Sequence, residues 1–111
     1  MAETFKRAGG PISSSGTDIY TAPATSGSVA IILSCSVANI TSSIVNCTCD
    51  LVASDGTSIV STLIKEADLP AETALELVQN KIVLEAGERL KLTTDNNNNL
   101  SATVAILEIT P

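Results

Sequence analysis

The run Val29-Ala-Ile-Ile-Leu-Ser-Cys-Ser-Val-Ala-Asn-Ile-Thr-Ser-Ser-Ile-Val-Asn-Cys-Thr-Cys-Asp-Leu-Val52 decides how this chain folds. In its first half Val29, Ile31, Leu33, Cys35 and Val37 alternate with Ala30, Ile32, Ser34, Ser36 and Ala38. In its second half Val45, Cys47, Cys49 and Leu51, continued by Ala53, oppose Asn46, Thr48, Asp50 and Ser54. A period of two belongs to a strand with one face in a core and the other toward solvent. The turn-forming segment Asn39-Ile-Thr-Ser-Ser43 lies between the halves and predicts an antiparallel hairpin. Centred on Thr41, the hairpin sets Val37 beside Val45, Cys35 beside Cys47, Leu33 beside Cys49 and Ile31 beside Leu51. A shift of two residues brings Cys35 to Cys49 instead, whereas a shift of one turns the core face outward and is excluded. In both registers the cysteines serve as small apolar core residues.

Outward from this run the same grammar continues. Asp55-Gly56 predicts a tight hairpin turn into a strand from Ser58 to Lys65. Glu66 to Pro70 reads as a loop, and Pro70 ends pairing. Ala71 to Val78 carries helix-favouring residues, but Leu75 and Leu77 flank Glu76 and eight residues are short for a helix, so it is assigned as strand. Lys81 to Leu84 is a further short strand. Glu85 to Glu88 turns the chain into Arg89 to Thr93, with Leu90 and Leu92 inside. Asp95 to Asn99 is a polar loop, and the last strand runs from Leu100 to Thr110. Upstream, Asp18 to Ala22 is a short strand closed by Pro23, with Tyr20 packing at the sandwich end and its hydroxyl reaching solvent or backbone. The expected fold is all-β: a single antiparallel β-sandwich of jelly-roll type, with seven to eight strands, spanning residues 17–111. Residues 1–16 read as a flexible, extended N-terminal arm rather than a strand. Ala8-Gly-Gly-Pro11 and Ser13-Ser-Ser-Gly16 offer little to bury.

Composition narrows function. At 111 residues and 44% apolar content the chain is one packed domain. Six basic residues against twelve acidic give a net charge of −6, the wrong sign for gripping a nucleic-acid backbone. The sequence holds no His and no Trp, which removes most acid–base, nucleophile–His and His–metal schemes. The serines of Ser13-Ser-Ser-Gly16 therefore have only Lys as a conceivable base, and no S-x-x-K spacing occurs, so no enzyme is expected. Asp50, Asp55 and Asp95 are the candidate calcium ligands, but nothing matches D-x-D-x-D-G, and no metal or cofactor is assigned. The longest apolar stretch, Val29 to Leu33, is too short to span a bilayer, and the N-terminus lacks the apolar region of a secretory signal. Cys35, Cys47 and Cys49 are accordingly expected as free, reduced thiols.

The partner-binding candidates are in the arm. Lys6 and Arg7 against Glu3 give it +1, while residues 17–111 hold four basic and eleven acidic residues, a net of −7. A basic arm on an acidic body suits docking onto an acidic neighbour, with Phe5 as the apolar anchor. Phe5, Lys6 and Arg7 are thus the expected contacts, and the Asp95 to Asn99 loop is a second possible contact tip. Deleting residues 2–14 is expected to leave the fold intact and abolish docking.

Several stretches in fixed order carry a family resemblance: Thr17-Asp-Ile-Tyr-Thr-Ala-Pro23, Leu69-Pro-Ala71, Leu75-Glu-Leu77, Lys81-Ile-Val-Leu-Glu-Ala-Gly-Glu88 and Ala105-Ile-Leu-Glu-Ile-Thr110. This order, over residues 17–110, resembles the small virion structural proteins of tailed bacteriophages. Those read as an I-Y-T-x-P strand, a central hairpin, a P-A turn, L-E-L, K-I-V-L-E-A-G-D and a terminal L-E-I; Glu88 here replaces the usual Asp. The resemblance implies a non-enzymatic homo-oligomeric subunit of the virion, assembled in the cytoplasm of a bacterial host. Its implied role is a capsid decoration or cement protein on the lattice of the major capsid protein. A neck, collar, tail-tip or baseplate component contacting other virion proteins, fibres or the host surface is the alternative. Neither nucleic acid nor membrane is an implied partner.

Overall fold

Alternate side chains sort this chain into two facing sheets. A computed structural model describes residues 2–78, 81–95 and 99–111. Among them lie nine strands: β1 (Ala2–Pro11), β2 (Thr17–Thr21), β3 (Val29–Asn39), β4 (Val45–Val52), β5 (Ile59–Leu69), β6 (Ala74–Glu76), β7 (Ile82–Glu85), β8 (Arg89–Thr94) and β9 (Leu100–Thr110). One sheet runs β1-β9-β3, with β7 and β6 one beyond the other along the far edge of β3; the other runs β2-β8-β4-β5. All neighbouring strands are antiparallel. With β1, β3 and β9 in one sheet and β2, β4 and β8 in the other, the order is that of a jelly-roll sandwich. Aliphatic side chains fill the space between the sheets. Ile32, Leu84, Leu90, Leu92, Val104 and Ile106 are all at most 1% exposed, so aliphatic side chains close the core to solvent without aromatics.

The expected β3–β4 hairpin does not form. The two strands belong to opposite sheets, β3 between β9 and β6/β7, β4 between β8 and β5. Residues 40–44 span the gap, about 10 Å between packed sheets. Alternation fixes which face of a strand is buried, and a paired hairpin and a sheet-crossing corner bury the same face. Asn39, 2% exposed, builds the corner. Its Nδ2 donates to the carbonyls of Ser43 (2.8 Å), Leu69 (3.0 Å) and Pro70 (3.2 Å), while its Oδ1 accepts from the Thr41 amide (3.0 Å) and hydroxyl (2.8 Å). Cys35 therefore meets Cys47 and Cys49 across the core, not along a ladder, and all three are free and fully buried.

β3 also changes face midway. Its ladder with β9 slips between Ile32 and Ser34, a β-bulge at Leu33. Ala30 and Ile32 point inward before the bulge, and Cys35, Val37 and Asn39 after it, so Val29 and Ile31 lie on the outer face. β6 is shorter than the strand expected over Ala71 to Val78. Where its ladder stops, the Glu76 carboxylate accepts from the amides of Cys35 (2.7 Å) and Val78 (3.0 Å) and so satisfies a β3 donor that no strand reaches. β5 extends through most of the expected Glu66–Pro70 loop, interrupted by left-handed Glu66 (φ 50°), and stops before Pro70.

Local signals hold where turns decide the geometry. β4 and β5 pair across Asp55-Gly56, with Gly56 at φ 84°. The Asp55 carboxylate accepts from the Ser58 hydroxyl and the Ser58 and Thr57 amides, which holds its pKa down to about 2. β9 has the expected limits, and Leu90 and Leu92 are buried. The Asp95–Asn99 loop lies, at residues 96–98, outside the described residues.

The N-terminal segment is extended as expected, but it is a strand. Every residue of β1 has a partner on β9, from Ala2 opposite Thr110 to Pro11 opposite Ser101, with no irregularity. The Ile12 amide continues the ladder to the Leu100 carbonyl at 3.1 Å. No β1 residue is buried, so neither face carries the alternation by which a strand is recognised. Ile12 is fully buried, which places the inner limit of the exposed segment at Pro11.

Candidate interaction surface

β1 presents its candidate contacts on two different faces. Lys6 sits opposite Ile106 on the core-facing side, and its Nζ pairs with Glu108 Oε1 at 3.0 Å. The Tyr20 hydroxyl donates to Glu108 Oε2, so this buried carboxylate ties β1 and β2 to β9. Tyr20 thus points neither to solvent nor to backbone. Burial works to raise the Glu108 pKa, but the Tyr20 hydroxyl and the Lys6 ammonium outweigh it and hold the group below its ordinary 4.5. Burial and the same contact push the Tyr20 phenol well up. Because the folded-state pKa of Glu108 is depressed, its contribution to stability is complete above 4.5 and is lost as pH falls through the lower folded value. Glu108→Gln is expected to cost about 1 kcal/mol at pH 7 and to flatten the loss of melting temperature below pH 4.5, read by thermal melts from pH 7 to pH 3.

Glu3, Phe5 and Arg7 lie on the opposite, outward face of the same sheet. The ladders align Phe5 with Leu107, Leu107 with Ile31, and Ile31 with Val83, one apolar row across β1, β9, β3 and β7. Phe5 is 76% exposed and Val83 54%, with Leu107 and Ile31 half-buried between them. The next row reads Glu3, Ile109, Val29 and Glu85. On the other side Arg7 stands beside Ala105, and exposed Lys81 immediately precedes β7, whose ladder to β3 begins at Ile82. Among the described residues none of Glu3, Arg7, Lys81 or Glu85 has an ion-pair partner in its own chain. Phe5 and Arg7, singled out in the sequence, share this open face with Ile31, Val83 and Leu107, which the sequence pattern does not single out. Ile31 was assigned to the core because the bulge is invisible in the pattern, and Leu107 is hidden in the apolar run Val104 to Leu107.

The residues considered for chemistry are dispersed. Asp50 accepts from the Thr62 hydroxyl at 2.7 Å, Asp55 closes its own turn, and Asp95 accepts from the Asn46 amide at 3.4 Å. Among the described residues no three His, Cys, Asp or Glu side chains gather as a metal-holding group. The Ser13 amide donates to the Thr17 hydroxyl at 3.0 Å, and the Ser13 carbonyl accepts from Gly16 at 3.3 Å, a compact turn into β2. A shallow pocket of about 430 Å³ is lined by Ser26, Ser28, Ala53, Ser54, Glu85 and Glu88, which pair no nucleophile with a base. Burial pushes the Cys35 thiol up to about 12 and that of Cys47 to about 11, with Cys49 raised as well. The three thiols are expected to be silent toward a thiol-specific chromogenic disulfide in the native protein and to react fully in denaturant, a contrast read at pH 8.

The described architecture is that of a jelly-roll sandwich. No family model matches the chain, and no curated protein matches it in sequence. Solved structures do share its fold. A chain from "Bacillus endospore appendages form a novel family of disulfide-linked pili" is 9% identical, with a TM-score of 0.60 over 98% of this chain and 87% of that one. A chain of the infectious bursal disease virus Gx strain is 14% identical, with a TM-score of 0.52 over 96% of this chain and 31% of that one, so this protein spans about a third of the viral chain's length.

Proposed function

We propose that this protein is a non-enzymatic structural subunit of a bacteriophage virion, an oligomeric decoration subunit seated on the major capsid protein lattice. The observation that carries this reading is the open apolar row Phe5–Leu107–Ile31–Val83, on a chain whose candidate chemical residues are dispersed. Monomeric proteins keep such patches small, so a continuous row with a 76%-exposed Phe supports a contact role for this face. The family motifs support it. Ile-Tyr-Thr is the end of β2, Ile82 to Glu88 is β7 with its turn, and Leu-Glu-Ile lies in β9. Phe5 and Arg7 are the contacts on the open face, and Lys6 holds their strand in place through Glu108. Modest patches suffice in such a role because a symmetric particle multiplies each contact.

The test is the copy number per purified particle, by quantitative mass spectrometry scaled to the major capsid protein. On the order of hundreds of copies supports decoration, whereas roughly 5 to 20 moves the protein to the neck or tail, where ring symmetries are low. Absence from the particle overturns the reading.

A further inference from the structure

The outer face of the β1-β9-β3-β7 sheet is self-complementary under one two-fold axis and repulsive under the other. Two paired rows run across the strands, Glu3 to Glu85 and Phe5 to Val83, and they are flanked on the far side by Arg7 on β1 and by exposed Lys81 just ahead of β7. Stack two copies face to face about an axis lying along the Phe5 to Val83 row. Each Phe5, Leu107, Ile31 and Val83 then meets its own counterpart, Glu3 faces Arg7 of the second copy, and Glu85 faces its Lys81. Turn the copies about an axis along the strands instead, and Glu3 faces Glu85 while Arg7 faces Lys81. Like charges oppose at all four corners, so the charge layout selects the first arrangement. We propose that this face docks a second copy of the same chain, in an isologous sheet-on-sheet dimer with the apolar row on the two-fold axis. This deepens the oligomeric part of the proposed function, naming a second copy as what covers the open row, and rests on it.

The strength of the contact follows from its size. Four strands about 4.8 Å apart, with charges about 7 Å to either side of the apolar row, cover roughly 300–400 Å² per copy. A stable standard interface buries about 800 Å² per partner. The isolated dimer is therefore weak and reversible, suited to a lattice in which many copies are held side by side.

Sedimentation velocity of the purified full-length chain, from micromolar to about 1 mM, tests the pairing. Wild type is expected to pass from monomer to dimer as concentration rises. Arg7→Glu places carboxylates opposite each other at two symmetric sites and is expected to weaken the dimer roughly tenfold. The double variant Glu3→Arg/Arg7→Glu restores the opposed charges between copies and is expected to recover most of that loss. Within one chain Glu3 and Arg7 are about 13 Å apart along the strand, too far for their own pairing to explain a rescue in 0.15 M salt. Val83→Asp is expected to abolish dimerisation, and Ile59→Asp on β5 to leave it unchanged. All these positions are exposed, so thermal melts should report folded variants. A chain that stays monomeric throughout, or a double variant that shows no recovery, overturns the proposal. A monomeric chain that still populates particles normally overturns the pairing and leaves the decoration reading standing. A rescued dimer in a protein absent from particles supports the pairing and removes the decoration reading.

Discussion

Asn39→Ala is expected to lower stability by roughly 3 kcal/mol and the melting temperature by about 10 °C, the largest effect of any polar substitution in the core. The side chain makes five hydrogen bonds while 2% exposed, and they join two separate backbone segments at the point where β3 leaves one sheet for the other. Truncation removes the side-chain partners of the Leu69 carbonyl and the Thr41 amide and breaks the tie between the two backbone segments, whereas the Ser43 and Pro70 carbonyls keep the Thr41 and Thr73 hydroxyls. Asn39→Asp separates this cause from a generic loss of packing. An ionised carboxylate there faces three carbonyl oxygens where a donor is needed, so the folded state raises its pKa. Stability of that variant is greatest below the unfolded Asp value of about 3.9 and is lost as pH rises through the folded value. Wild type runs the other way in acid, because Glu108 and Asp55 both have depressed folded-state values. Opposite slopes in thermal melts between pH 3 and pH 7 are the expected signature. Parallel slopes would mean that the corner does not depend on the Asn39 donor.

Deleting residues 2–10 is expected to leave a folded sandwich that no longer enters particles, and deleting residues 2–14 to unfold it in large part. The shorter deletion removes the β9 ladder partner, Phe5, Lys6 and Arg7, but no buried side chain. The longer one also removes Ile12, fully buried in the core, for roughly 3 kcal/mol or more of cavity and transfer cost. It further removes Ser13, whose carbonyl accepts from the amides of Gly16 and Thr94. A boundary at residue 14 follows from the turn-rich composition of the segment. The structure moves it to residue 10 because burial, not composition, decides what the core can spare. Circular dichroism melts and particle copy number separate the two effects. Normal incorporation of the shorter variant would take β1 out of the contact surface.

The shorter deletion also uncovers the edge of β9, an eleven-residue strand. Edges of this kind are covered, bulged or charged in soluble proteins. β5, the edge of the second sheet, carries left-handed Glu66 and three register irregularities against β4. β1 has no such interruption, and its protection against further pairing comes from Lys6, Arg7 and the final Pro11.

What the amino-acid sequence determined by itself was local: strands of period two, the Asp55-Gly56 turn, the stop at Pro70, the inward Leu90 and Leu92, and the limits of β9. Each depends on backbone sterics or on alternation within a few residues. What only the tertiary structure decided was which strand lies beside which. The sheet-crossing corner at Asn39 and the expected hairpin bury the same side chains, so the pattern does not distinguish them. The bulge at Leu33 moves Ile31 from core to surface without altering its neighbours in sequence. β1 is held by a ladder to residues about a hundred positions away, and with both of its faces open it carries no alternation at all. The apolar row exists only because four strands distant in the chain align their outward residues in register. Alternation reports burial along one strand, whereas a surface is a property of several strands together.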